Sequence, residues 1–377
     1  MRKCVLCLML AVLLCGCGAE QPTFEQTAVE TETETVPETT EYREPDPVEA
    51  LLASMGPEEK VGQLFLARCP EENATVLAEQ YHLGGYILFG RDFEDQTPDG
   101  IRQTIADWQE IAKIPMLVAV DEEGGTVCRV SSNPAFRPEP FPSPRSLYNQ
   151  GGLELVGSLE SEKAYLLRYL GINVNMAPVC DITTEPGNFM YQRSLGQSPE
   201  ITGQFAADTV KRMAEYNLGS VLKHFPGYGS NADTHTDVIE DKRSLEQLEA
   251  ADLVPFAAGI RAGCGAVLMS HNIVYALDPE LPASLSPSVH GYLRYTMGFD
   301  GVIITDDLSM AAITELYGTE EAAVLAVLAG NDLLCTTDFT TQYNAVLAAV
   351  EDGRIPVETL DKAVTHVLKW KQQLKLI

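Results

Sequence analysis

No Gly-x-Gly-x-x-Gly or Walker-type loop follows any apolar run of this 377-residue chain, so the common signatures of nucleotide binding are missing. Basic residues are scarce: 26 Lys and Arg stand against 54 Asp and Glu, a formal net charge of -28. That balance argues against nucleic acid as a partner, because phosphates would be repelled, but it places no constraint on a neutral sugar. The five cysteines of the body, Cys69, Cys128, Cys180, Cys264 and Cys335, are odd in number, widely spaced and outside any Cys-x-x-Cys or His/Cys cluster. They support neither a zinc site nor a disulfide framework, and most are expected to be small buried hydrophobes. No metal and no cofactor are expected. The opening apolar stretch, Val5 to Leu14, is too short to span a bilayer as a stable helix.

What that stretch does resemble is an export signal. Arg2 and Lys3 precede it, and it closes as Leu14-Cys15-Gly16-Cys17, which is similar to the bacterial lipobox. On that resemblance residues 1–16 are a lipoprotein signal peptide and Cys17 is lipidated; a plain cleaved signal is the alternative, and it too means export. Residues 17–46 carry Glu30, Glu32, Glu34, Glu38 and further acids spaced by Thr and Pro. So little apolar surface cannot offset the entropy of ordering, and a disordered acidic tether is expected. The expected location is therefore extracytoplasmic, with the chain lipid-anchored to the outer face of the bacterial cell membrane.

Residues 47–377 alternate short apolar runs with longer amphipathic stretches. Candidate strands are Gly85–Phe89, Met116–Val120, Val174–Pro178, Ser220–Leu222, Ala266–Met269, Gly301–Ile304 and Asp332–Leu334. Helical patterns cover Ile201–Tyr216, Leu245–Ala262 and Glu320–Ala329. Continuous apolar runs suit strands buried on both faces, as in parallel sheets. The alternation predicts an α/β fold, a (β/α)8 TIM-like barrel in one catalytic domain, with a doubly wound open sheet as the second choice.

Polar residues cluster just after those runs. Val120 leads into Asp121-Glu122-Glu123-Gly124-Gly125, Leu222 into Lys223-His224, Met269 into Ser270-His271-Asn272, and Ile304 into Thr305-Asp306-Asp307. That is how the catalytic face of a barrel reads. The densest segment is Lys223 to His235, with two histidines, a lysine and Asp233-x-His235 around a Gly/Pro-rich turn. A carboxylate next to an imidazole fixes its tautomer and makes a proton shuttle near neutral pH. Asp306 or Asp307 must also be weighed as a cap of the following helix, Asp307 more so.

Taken in order, the motifs Pro57–Phe65, Gly84–Phe89, Val120–Gly125, Asn175–Val179, Gln192–Gly196, Lys223–His235, Met269–His271 and Ile304–Met310 resemble a family 3 glycoside hydrolase of the β-N-acetylhexosaminidase branch. The resemblance implies a retaining mechanism with Asp306 as nucleophile, His235 as acid/base and Asp233 as its orienting partner. It also implies sugar contacts from Asp121, Arg129, Arg193, Lys223 and His224, with Glu123 supporting the Gly124-Gly125 turn. Three departures stand out: Tyr228 replaces a second histidine, the span from His224 to His235 is one residue short, and Thr126 replaces an arginine.

The resulting expectation is an exo-β-N-acetylglucosaminidase acting on peptidoglycan-derived fragments. Its partners are a β-linked N-acetylglucosamine saccharide and the membrane, through the lipid anchor, and the protein is expected to be a monomer. A β-glucosidase or other family 3 exo-glycosidase, a glycoside phosphorylase and an inactive sugar-binding lipoprotein remain as alternatives.

Overall fold

The computed structural model describes residues 46–229 and 239–377. Eight parallel strands form one sheet: Phe65–Arg68 (β1), Gly85–Leu88 (β2), Leu117–Val120 (β3), Val174–Asn175 (β4), Gly219–Phe225 (β5), Ala266–Met269 (β6), Val302–Thr305 (β7) and Leu334–Thr336 (β8). Their order is β7-β6-β5-β4-β3-β2-β1-β8. The two ends meet at a single bridge, Ile304 to Leu333, so the sheet curls almost shut into a (β/α)8 barrel with helices between successive strands.

Side chains along each stave alternate between two cores, as the period of two in a strand requires. Leu66, Ile87, Val302 and Ile304 face a central cluster inside the barrel. Phe65, Ala67, Tyr86 and Leu88 pack outward against helices, and Ile303 does the same on the far side. The floor is closed by Trp370 of the last helix, Val357–Gln373, which joins the interior cluster. Its indole presses on β5 so closely that a Cβ at Gly219 would sit 2.8 Å from the ring. Glycine is required there by the approach of another side chain.

Among the described residues, four helices begin with a hydroxyl cap followed by proline. Thr97, Ser143, Ser198 and Ser286 each accept a hydrogen bond from a backbone amide of the first turn, and each is followed by proline at the first helical position. The hydroxyl satisfies an orphan amide, and the proline supplies a helical φ where no N–H is needed.

Several boundaries differ from the sequence reading. β1 was not among the expected strands: its four residues follow the helix Pro57–Gln63 with only Leu64 between, so no turn signal separates the two patterns. The helix expected over Leu245–Ala262 is two, Leu245–Ala250 and Leu253–Arg261, with Ala251 at φ -132 and ψ -79. The break puts Pro255 in a first turn, where its missing N–H costs nothing. β5 runs on to Phe225, so Lys223 and His224 lie on the strand rather than after it.

Candidate active site

The C-terminal ends of the staves surround a cleft of about 430 Å³. Six residues expected to act there do line it: Asp121 after β3, Arg129 after the adjoining hairpin, Arg193 from the segment after β4, Lys223 and His224 on β5, and Asp306 after β7. Asp233, His235 and Cys17 lie outside the described residues.

The hairpin Glu122–Gly124 with Val127–Cys128 explains the Asp-Glu-Glu-Gly-Gly motif. Gly124 and Gly125 turn it at φ 97 and φ 69, left-handed values that carry a steric penalty for any other residue. Glu122 points away from the cleft and is fully buried. It accepts from the amide of Val130 at 2.7 Å and from the hydroxyl of Ser131, tying down the chain that leaves the hairpin. Burial raises its pKa against those hydrogen bonds.

Glu123 faces the other way, and its part is larger than support for the turn. Its carboxylate takes Arg193 in two parallel bonds of 2.9 and 2.7 Å and Lys223 at 2.6 Å. Lys223 also donates to Asp121 at 2.6 Å. Burial disfavours the ionised form of Glu123, but Lys223 and Arg193 overcome it and hold the carboxyl well below the usual range. Burial likewise opposes the charge on Lys223, and Asp121 and Glu123 more than offset that, raising its pKa. The array is thus a fixed set of charges whose hydrogen-bonding groups turn toward the cleft, suited to charge-assisted recognition of hydroxyl and amide groups.

His224 is oriented from two sides. Its Nδ1 lies 2.7 Å from Asp181 and its Nε2 lies 3.2 Å from Arg193 Nη2. Since a guanidinium only donates, Nε2 accepts and the ring proton sits on Nδ1, donated to Asp181. Asp181 escaped the sequence reading, although an acid one residue beyond the Val179-Cys180 pair was the available signal. Tyr228, in place of the second histidine, is buried, its ring edge-on to His224 at 5.2 Å and to Phe189 at 4.9 Å.

Asp306 hangs at the mouth of β7. Its amide donates to Met269 O at 3.0 Å, and its Oδ1 accepts from the Asp307 amide at 2.9 Å. Asp307 is not the helix cap: the helix Ala311–Tyr317 starts after Met310. Instead Asp307 clamps the neighbouring loop, accepting from Ser309 N at 2.8 Å and Thr337 Oγ1 at 2.8 Å. His271 is structural on the same grounds, being fully buried with Nδ1 at 2.8 Å from Ser284 Oγ and Nε2 at 3.1 Å from Asp307 O. The five body cysteines are buried and unpaired with one another; burial raises the Cys335 thiol well above its ordinary value, with Asp307, Asp306 and Asp121 adding to the effect.

Known proteins of the same build exist. The chain is 31% identical over 340 residues to the beta-hexosaminidase LpqI of Mycobacterium tuberculosis (strain ATCC 25618 / H37Rv), covering 87% of this chain and 85% of that one. It is 37% identical over 281 residues to a beta-hexosaminidase of Xylella fastidiosa (strain M23), covering 72% and 81%. Among solved structures it superposes on a glycoside hydrolase family 3 beta-N-acetylglucosaminidase from Paenibacillus sp. str. FPU-7 with a TM-score of 0.80 at 34% identity, covering 86% of this chain and 63% of that longer one. The M. tuberculosis LpqI structure aligns with a TM-score of 0.79 at 29% identity, over 86% and 96%. The model of the glycosyl hydrolase family 3 N terminal domain matches residues 57–370, nearly all of the barrel, and the chain is a member of that family and a glycoside hydrolase.

Proposed function

We propose that the protein is a retaining exo-β-N-acetylglucosaminidase. The observation that carries this reading is the position of Asp306, whose carboxylate shares one cleft with the Asp121–Lys223–Glu123–Arg193–His224 array. The array holds the terminal sugar, with Arg129 beside it, and sets the anomeric carbon over Asp306. Asp306 then attacks that carbon as the bond to the leaving oxygen breaks, forming a glycosyl-enzyme ester. Protonated His235, oriented by Asp233, gives its proton to the leaving oxygen. It next takes a proton from water, which attacks the same carbon and releases Asp306.

Relatives named beta-hexosaminidase, at 31% and 37% identity, favour an N-acetylated sugar over glucose. For the substrate we propose peptidoglycan-derived fragments, because an exported, lipid-anchored enzyme with Cys17 as its mature end works where such fragments lie.

The test is nitrophenol release by the purified protein from the β-N-acetylglucosaminide and the β-glucoside, with and without phosphate. Strong preference for the N-acetyl sugar with no phosphate requirement upholds the proposal. Preference for glucose moves the protein to another activity of its family, and phosphate dependence makes it a phosphorylase. No turnover of either leaves a sugar-binding protein.

A further inference from the structure

The cations of the cleft fall into two groups. Lys223 and Arg193 are matched by Asp121 and Glu123. Arg68, the last residue of β1, and Arg129 enter the same cleft, and among the described residues neither guanidinium has a hydrogen-bond or ion-pair partner. The Nε of each is buried with no acceptor. What both touch is one aromatic ring: Arg68 Cζ lies 4.6 Å and Arg129 Cζ 5.4 Å from the centroid of Phe89.

A ring face attracts a guanidinium and fixes its position, but it accepts none of its in-plane N–H donors. Asp92 is near enough to feel the charge of Arg68, yet its carboxylate is occupied by the Phe89 amide at 2.7 Å and lies 3.6 Å from Arg91 Nε. Two half-buried guanidinium groups are therefore held in place with no carboxylate bonded to them among the described residues, although Asp306 and Asp307 line the same cleft. Leaving guanidinium donors unpaired in such a wall is unfavourable unless a ligand completes them. Neutral hydroxyls satisfy a few donors; an anion satisfies the charge as well, and a planar fork suits carboxylate or phosphate.

We infer that Arg68 and Arg129, spaced by Phe89, form an anion-recognising subsite for a carboxylate or phosphate of the ligand, and that Arg68 is the residue setting this charge preference. The inference rests on the cleft being the saccharide site proposed above and adds the charge of its preferred occupant.

The experiment compares the full protein with Arg68→Met, which keeps an apolar stem on Phe89, and with Arg68→Lys. The substrates are a disaccharide of β-linked N-acetylglucosamine on a sugar bearing a lactyl carboxylate, and its methyl ester. The subsite predicts that kcat/KM favours the acid over the ester by tenfold or more, that Arg68→Met cuts this ratio at least fivefold, and that Arg68→Lys restores part of it. A second arm adds inorganic phosphate to nitrophenyl-glycoside assays; an effect on KM that Arg68→Met removes assigns the subsite to phosphate instead. A ratio near one in the native protein, or one unchanged in Arg68→Met, overturns the inference if the phosphate effect is also absent or insensitive to Arg68. Thermal shifts with the free sugar acid against its ester read the subsite without turnover. An Arg68-dependent shift there upholds it even if N-acetylglucosaminide hydrolysis, and with it the proposed function, fails.

Discussion

Asp181 holds His224 by both its ring and its backbone: one carboxylate oxygen receives Nδ1–H at 2.7 Å and the His224 amide at 3.1 Å, while the other takes the Tyr228 amide at 2.8 Å. A single buried side chain thus sets the tautomer of the histidine and the course of the turn after it. Asp181→Ala is expected to lower kcat/KM for the N-acetylglucosaminide by about 10–100-fold, since an unanchored imidazole no longer presents Nε2 to Arg193. Steady-state kinetics beside a melting curve check this; a large loss of folding with unchanged kinetics in the surviving protein would show a purely structural residue.

Glu123 is the hinge of the charge array. In Glu123→Gln, Lys223 and Arg193 keep their burial and lose a negative partner, so unfolding free energy should fall by about 3–5 kcal/mol. KM for the N-acetylglucosaminide should rise tenfold or more. Denaturant titration and KM are the readouts, and a change under about 1 kcal/mol would mean that water, not protein, sets the energetics of this array.

Asp306→Ala should reduce kcat by at least about 10³-fold. It removes a half-buried carboxylate at the cleft rather than core volume, so the melting temperature should stay within a few degrees. Near-native turnover would remove Asp306 from the mechanism.

Lys371 gives a prediction about pH. It is fully buried in the last helix, donates to Gln63 Oε1 at 2.6 Å, and burial lowers its pKa from 10.5 to about 7. Below pH 7 the lysine is charged both folded and unfolded, and the folded state bears the whole cost. From pH 7 to about 10.5 the unfolded chain holds a proton that the folded one lacks, so stability from this group rises with pH. The shift corresponds to roughly 4–5 kcal/mol, and the lost Gln63 bond offsets about 1 kcal/mol. Lys371→Met should therefore stabilise the protein by about 3 kcal/mol at pH 6, with the gain fading toward pH 10. Denaturant midpoints at the two pH values decide it; a pH-independent difference would refute the buried-charge account.

The barrel and most of its polar rim were legible because polar residues that follow apolar runs end up at the C-terminal ends of parallel strands. Asp121, Lys223, His224 and Asp306 were found in this way, and the motifs around Arg129 and Arg193 added those two. Arg68 was not found, because β1 is four residues long and abuts a helix, so no strand announced it. Asp181 was missed because it lies three residues beyond the expected strand Val174–Pro178, past the Val179–Lys223 bridge, rather than directly after the apolar run. The pairing of Glu123 with Lys223, 100 positions along the chain, depends on two staves being brought together, which local patterns do not encode.

β1 pairs with β8 through Phe65–Leu334, Leu66–Cys335 and Ala67–Thr336, while the β7 side is joined by the Ile304–Leu333 bridge just before β8 and by the Cys335 amide, which donates to Thr305 Oγ1 at 3.0 Å. The last stave is thus the keystone between the first one synthesised and the one carrying Asp306. Until Thr336 has been made, β1 and β7 are open edges that invite pairing with other chains. Assembly is correspondingly non-local and slow, governed by when the C-terminus arrives rather than by how fast any hairpin forms. Nascent chains stopped before that point should aggregate instead of yielding a smaller, partly active enzyme.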